Sequence, residues 1–273
     1  AIMYGADGGW YLRYKADGIA SSLLLTLFCS VNQAFFMGMF FLLAGYFSTR
    51  SFESKGARQF LTDRLLRLGL PVLVFGFVLE PLTNALAETP AGESVWSFWW
   101  ELMSRVDFNI GPLWFAYALL IFSVAYMALR LLLPRLSWNL SPAVLNHAWV
   151  VFFLVTWGIA AFALRLWVPT GQERGLLQIG FFASYILLFF FGCAAAQARL
   201  LENIDQKLAL PWGWISLLTI PSLFAYAILS GALKGVPFHV NGGWTLPAFA
   251  YAMWEPFVAC GIILMLLWRF RVS

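Results

Sequence analysis

Residues 21–47 read SSLLLTLFCSVNQAFFMGMFFLLAGYF, and residues 48–71 continue STRSFESKGARQFLTDRLLRLGLP. The first stretch is apolar almost throughout, interrupted by Asn32, Gln33, Gly38 and Gly45. The second brings in Arg50, Lys55, Arg58, Arg64 and Arg67 before Leu70 and Pro71. About 20 apolar helical residues cross the hydrocarbon of a bilayer, and Lys and Arg collect in the short loops on its cytoplasmic side. The junction therefore predicts a membrane crossing that exits into the cytoplasm. At about 1.5 Å per residue the apolar stretch is longer than one crossing requires, which sets residues Ser21 to Cys29 apart as a separate interfacial or re-entrant helix.

Composition extends this reading to the whole chain. Hydrophobic residues make up 62% of the 273 positions and charged residues only 11%, against about a quarter charged in soluble domains. The apolar runs are continuous, which excludes the alternation of a membrane β-barrel. Twenty-seven Phe and 14 Trp suit lipid-facing and interfacial positions. The expected fold is all-α, a polytopic transmembrane helical bundle.

Seven runs are candidates to cross: Ser22 to Ser48, Pro71 to Leu86, Pro112 to Leu133, Val144 to Trp167, Leu176 to Ala198, Trp212 to Gly231 and Trp244 to Trp268. The second reaches crossing length only with its flanks. With the 50–70 loop in the cytoplasm, alternation places Arg50, Lys55, Arg58, Arg64, Arg67, Arg130, Arg135, Arg199, Lys207, Arg269 and Arg271 on that side. The other side receives Arg13, Lys15, Arg105, Arg165, Arg174 and Lys234, together with Asp7, Asp17, Glu88, Glu93, Glu101, Asp107 and Glu173. Ala1 then lies outside. It carries no Met and no signal peptide, and the chain stops at Ser273 just after a helix exit, so the sequence is read as an internal fragment.

Few residues carry chemistry. Cys29, Cys193 and Cys260 sit inside apolar runs without paired or ligand spacing and read as small hydrophobes. His147 and His239 have no acid or thiol at metal-ligand spacing, so no metal site is expected; His147, after Asn146, reads as a helix-entry residue. Glu80 and Glu255 are the acids buried by position, each directly before a proline. An acid at membrane depth is costly unless paired or wet, so each either lines a polar path or bonds a neighbouring helix as structural glue. Each proline also frees a backbone carbonyl, that of Phe77 or of Ala252. Asn32 and Gln33 line the same cavity or bond between helices, and Trp114 is an interfacial belt residue or a sugar-stacking one. Gly38 and Gly45 share a helix face on which another helix can pack closely. Arg64 and Arg67, three residues apart, either grip one phosphate with two guanidinium forks or anchor the helix on lipid headgroups.

The string from Asn32 to Phe47, the Arg64-Leu-Leu-Arg67 element leading to Pro71, Gly111-Pro-Leu-Trp114-Phe115 and Trp254-Glu255-Pro256 occur in one order along the chain. In this they resemble the acyltransferase-3 family of integral membrane acyltransferases. The resemblance implies about ten membrane helices, so residues 1–273 form a single acyltransferase-3-like transmembrane domain truncated at both ends. It implies a membrane O-acyltransferase transferring groups other than amino-acyl groups, in a bacterial inner (plasma) membrane. An acetyl or other short acyl group would pass from acyl-CoA to a hydroxyl of a carbohydrate or glycolipid acceptor, as in polysaccharide modification. No bound cofactor and no nucleic acid are implied, and acyl-CoA is the donor substrate.

By the same resemblance, Arg64 and Arg67 match the family's cytoplasmic pair that engages CoA phosphates. The family's catalytic His falls before Ala1, so the catalytic residue is unassigned and the fragment alone is expected to be inactive. Glu80, Glu255, Asn32, Gln33 and Trp114 remain as acceptor or cavity residues. The rival class is a secondary transporter with a midplane site at Glu80 and Glu255, whose proline-broken helices run in opposite directions. A membrane scaffold without turnover is the third.

Overall fold

The structure is a computed structural model, and it describes residues 18–90, 92–105, 108–133 and 140–272. Asp7, Arg13, Lys15, Asp17, Asp107 and Arg135 lie outside the described residues. Among the described residues, ten α-helices follow one another: α1 (Ile19–Arg64), α2 (Leu70–Val74), α3 (Glu80–Glu88), α4 (Val95–Ser104), α5 (Trp114–Leu132), α6 (His147–Trp167), α7 (Phe182–Ala195), α8 (Gln206–Thr219), α9 (Ser222–Leu229) and α10 (Leu246–Val272). Among the described residues there is no β-strand, only an isolated bridge between Arg174 and Leu177. The fold is an all-α polytopic helical bundle, as the sequence predicts.

All seven apolar runs fall in helical segments, although not one run per helix. Among the described residues, five segments are long and apolar enough to cross a membrane: Ala20–Glu88, Gly111–Leu132, His147–Trp167, Gln206–Leu229 and Leu246–Val272; Ile179–Ala195 is a shorter apolar helix. The first of these covers 69 residues and contains the first two runs. Residues Ser21 to Cys29 continue α1 without a break, so they are not a separate interfacial helix.

The 69 residues do not form one straight rod. Gly56 has φ 76° and ψ 169°, a backbone conformation open to glycine and closed to most residues. The Arg64 guanidinium, 16 residues after Ser48, donates from Nη2 to the Ser48 hydroxyl at 3.0 Å. On a straight helix those residues would stand about 24 Å apart. The chain therefore doubles back at Gly56, and Lys55 pairs with Asp63 across the turn.

Two wide π turns follow, Leu65–Gly69 and Phe75–Leu79. Each ends just before a proline segment, with the N–H of Leu70 bonded to the carbonyl of Leu65 and that of Glu80 to Phe75. A proline inside an α-helix clashes with the carbonyl four residues earlier. The five-residue spacing of a π turn carries that carbonyl out of the way, so Pro71 and Pro81 are absorbed by local widening.

The described residues divide into two compact units. One comprises those within Ala1–Phe47, Trp138–Gln172 and Ile179–Ser273; the other those within Ser48–Ser137 and Glu173–Gln178. In the first, α10 packs along α6 and α8, and α7 lies against α6. The Gly38 and Gly45 face of α1 meets α7, as the sequence predicts. A Cβ on Gly45 would lie 2.0 Å from the carbonyl oxygen of Phe189, and one on Gly192 would lie 2.1 Å from that of Leu42. The helices touch backbone to backbone, as small residues allow in a membrane where burial in lipid does not drive helix association. In the second unit α3 packs on α4, Trp99 donates from its indole to the carbonyl of Val78 at 3.2 Å, and the rings of Phe52, Phe60 and Tyr126 form an edge-on cluster.

Candidate functional site

A buried polar cluster inside the first unit is built around Glu255. The acid sits on α10 immediately before Pro256, deep in an apolar helix, and its side chain is 3% exposed. Facing it is Arg165, in the last turn of α6, with a side chain 1% exposed. Arg165 Nη2 donates to Glu255 Oε2 at 2.5 Å, and Nε donates to the carbonyl of Gly180 at 3.1 Å. Two opposite charges held this way neutralise each other where either alone would be expelled from a low-dielectric interior.

Aromatic rings close the site. The guanidinium lies 5.0 Å from the centroid of Tyr251, one turn before Glu255 on α10, and 5.4 Å from that of Phe181. Ring faces are electron-rich and attract a desolvated guanidinium. Tyr185 of α7 lies within electrostatic reach of both charges. Its hydroxyl accepts a hydrogen bond from Gln33 Nε2 at 3.3 Å, and its ring stacks on Phe41 with centroids 4.7 Å apart. Further along the same two helices, Trp157 Nε1 donates to the Ser184 hydroxyl at 2.8 Å. Four helices, α1, α6, α7 and α10, thus contribute to one buried polar cluster.

One donor in that cluster has no partner. Arg165 Nη1 is buried and makes no hydrogen bond among the described residues. Buried donors are nearly always satisfied, and one left open costs roughly 1–3 kcal/mol.

Of the residues expected from sequence, Glu255 and Gln33 come together here. Asn32 does not join them; its side chain donates to the carbonyl of Phe28 on its own helix at 2.8 Å. Glu80 is in the second unit and only half-buried, so its burial is less than its position suggests. It accepts from Asn84 at 2.8 Å and from Asn109 at 3.4 Å. Trp114 opens α5 half-buried, after the short 3-10 turn Gly111–Leu113, with its ring edge-on to Phe115 at 6.2 Å. Arg64 is half-buried, bonded to Ser48 and lying 5.2 Å from the Phe60 ring centroid, while Arg67 is exposed within the first π turn. In such a turn residues three apart are splayed further than on an α-helix, because the wider winding brings the fourth or fifth residue round instead. His147 is exposed at the start of α6, whose cap is Asn146, bonded through Oδ1 to the N–H of Trp149 at 3.0 Å.

Arg165 itself was not foreseen. From sequence it counts as a cation of an outer loop, and the structure buries it completely. The signal that could have found it is the acid: a Glu at membrane depth demands a partner, and Arg165 is the cation inside the Val144 to Trp167 run.

Comparison with known proteins adds a single finding. A family model described as an acyltransferase domain, that of acyltransferase-3, matches residues 8–273. No curated protein and no solved structure matches significantly. The match covers nearly the whole chain, and it agrees with the apolar helices described above. The protein belongs to the acyltransferase-3 family and is an integral membrane acyltransferase.

Proposed function

We propose that the protein transfers an acetyl or other short acyl group from cytoplasmic acyl-CoA to a hydroxyl of a carbohydrate or glycosylated acceptor. The observation that carries this reading is the buried Arg165–Glu255 pair with its open Nη1. A buried carboxylate paired with Arg165 suits an acceptor hydroxyl, which donates a hydrogen bond to it. A guanidinium N–H without a partner suits an oxygen that gains negative charge as the thioester carbonyl is attacked. The reaction forms an ester C–O bond and breaks the thioester C–S bond; the hydroxyl proton goes to a base and the thiolate leaves as CoA. Glu255 and Arg165 bind and polarise in this scheme. His147, exposed at a helix entrance, is not assigned the role of base.

On the donor side we assign the CoA phosphates to Arg67 and Arg64. Arg67 is exposed, and Lys55 and Arg58 lie on the same folded-back segment. Guanidinium forks match phosphate oxygens better than ammonium groups do. The transporter reading needs Glu80 and Glu255 on one solute path. Each acid already has its own partners, Asn84 and Asn109 for the first and Arg165 for the second.

Two substitutions in the complete protein test the scheme. Arg64→Gln with Arg67→Gln is expected to abolish acyl-CoA binding, measured by calorimetry, while membrane insertion is unchanged; retained binding removes the donor assignment. Glu255→Gln is expected to lower kcat/KM for the acceptor about a hundredfold or more with acyl-CoA binding intact. Turnover at the unsubstituted rate sinks the acceptor assignment, and ion-driven uptake that depends on both Glu80 and Glu255 replaces it with transport.

A further inference from the structure

The first unit also holds a partly open cavity of about 260 Å³ that meets the Arg165–Glu255 cluster only at Trp157. It is lined by the first half of α6 (Phe153, Trp157), the second half of α7 (Leu188, Phe191), the start of α8 and the second half of α10 (Leu264). Every lining residue is Leu, Ile, Val, Phe, Trp or Cys. Water needs two or more polar partners to occupy a buried space, and this wall offers almost none. An occupant with amides or hydroxyls, such as the pantetheine arm of CoA, would leave them unbonded. A hydrocarbon chain loses nothing there and restores the dispersion contacts that an empty wall forgoes.

The surroundings say which hydrocarbon. Two lining residues at the mouth are open to the outside: Trp149 is 48% exposed and Phe152 is 61% exposed. The cavity is reached by the starts of α6 and α8 and the later parts of α7 and α10, and cations stand at the start of α8 and the end of α10. Arg271 donates to the carbonyl of Ile204, itself a lining residue, at 3.0 Å. Lys207 and Arg199 each adjoin a lining leucine, and Arg269 lies on the last turn of α10. The acids at this end are engaged locally. Glu202 accepts from the Tyr46 hydroxyl at 2.6 Å and stands 3.9 Å from Arg199, and Asp205 caps α8 through the N–H of Leu208 at 2.9 Å. An apolar slot beneath a rim dominated by cations matches a molecule with a hydrocarbon tail and an anionic head.

We propose that the cavity holds one acyl chain of an anionic phospholipid, with the headgroup against Lys207 and Arg271. Scaled from a cavity of about 150 Å³ that accepts benzene, the space takes roughly ten carbons, so the rest of the chain passes out between Trp149 and Phe152. Basic side chains near a membrane surface favour anionic over zwitterionic headgroups, which makes the preference measurable.

The experiment uses the complete protein in nanodiscs doped with phosphatidylglycerol or phosphatidylcholine, each carrying a diazirine midway along one acyl chain. After irradiation, adducts are mapped by mass spectrometry. Adducts on the peptides of Phe153 and Leu264 are expected, several-fold more with phosphatidylglycerol. Cys260→Trp, which fills the slot, should remove them. Lys207→Gln with Arg271→Gln should erase the headgroup preference while leaving the cavity intact, so the test stands even if the filled variant does not fold. The proposal is overturned by adducts confined to exposed residues such as Leu218 and Leu229, by equal labelling with the two lipids, or by labelling that survives Cys260→Trp. Absence of cavity adducts because a protein segment fills the slot overturns it as well.

Discussion

Arg165 and Glu255 show how much one residue depends on another at membrane depth. Removing one member of a buried ion pair leaves the other charge uncompensated, which costs about 3–5 kcal/mol, whereas neutralising both costs far less. Arg165→Gln is therefore expected to lower stability in detergent by an amount of that order, and Arg165→Gln with Glu255→Gln to recover most of it. Unfolding titrations of these variants and of Glu255→Gln decide the matter; a loss in the double variant equal to the sum of the two single losses would mean that the charges are not coupled. Glu255 was legible in the sequence because an acid before a proline stands out in an apolar run. Arg165 was not, since a cation two residues from the end of a run looks like an interfacial anchor. Tyr185 and Tyr251 were hidden in a chain where aromatic residues are common. Their role depends on which helices meet, and side-chain type alone does not reveal that.

At the scale of elements, the contact of α1 with α7 sets a narrow tolerance. A methyl at Gly45 would press within 2.0 Å of the Phe189 carbonyl oxygen, whereas one at Gly69 would find its nearest neighbour at 3.5 Å. Gly45→Ala is expected to force the helices apart and lower the melting temperature, and Gly69→Ala to leave it nearly unchanged. Thermal denaturation of the two variants checks this, and a stable Gly45→Ala protein would show that α7 can shift. The apolar runs made every crossing helix legible, and the spacing of Gly38 and Gly45 marked the packed face. The π turns were not legible. An apolar pattern fits α and π winding alike, and Pro71 and Pro81 indicate that the helix must adjust without saying how. The turn at Gly56 was hidden for a similar reason: one glycine in a polar amphipathic stretch is compatible with either a straight helix or a fold-back.

For the whole molecule, the charge pattern leads to a directional expectation. By the positive-inside rule the cations of the folded-back segment are expected on the cytoplasmic side. With Cys29, Cys193 and Cys260 replaced by Ala, a cysteine at position 58 should react with an impermeant thiol reagent only from the cytoplasmic face, and one at position 234 only from the opposite face. Labelling in the reverse sense would invert the topology and move the donor site to the other side. The family was legible because four motifs keep their order over the length of the chain, while the acceptor was not, because no residue singled out has a chemistry peculiar to one acceptor. The Arg165–Glu255 contact also bears on how this sequence can change over generations. It joins positions 90 residues apart into one heritable unit. Neither can drift to a neutral residue alone, so relatives that lose the arginine are expected to supply a cation from another helix or to give up the acid in step.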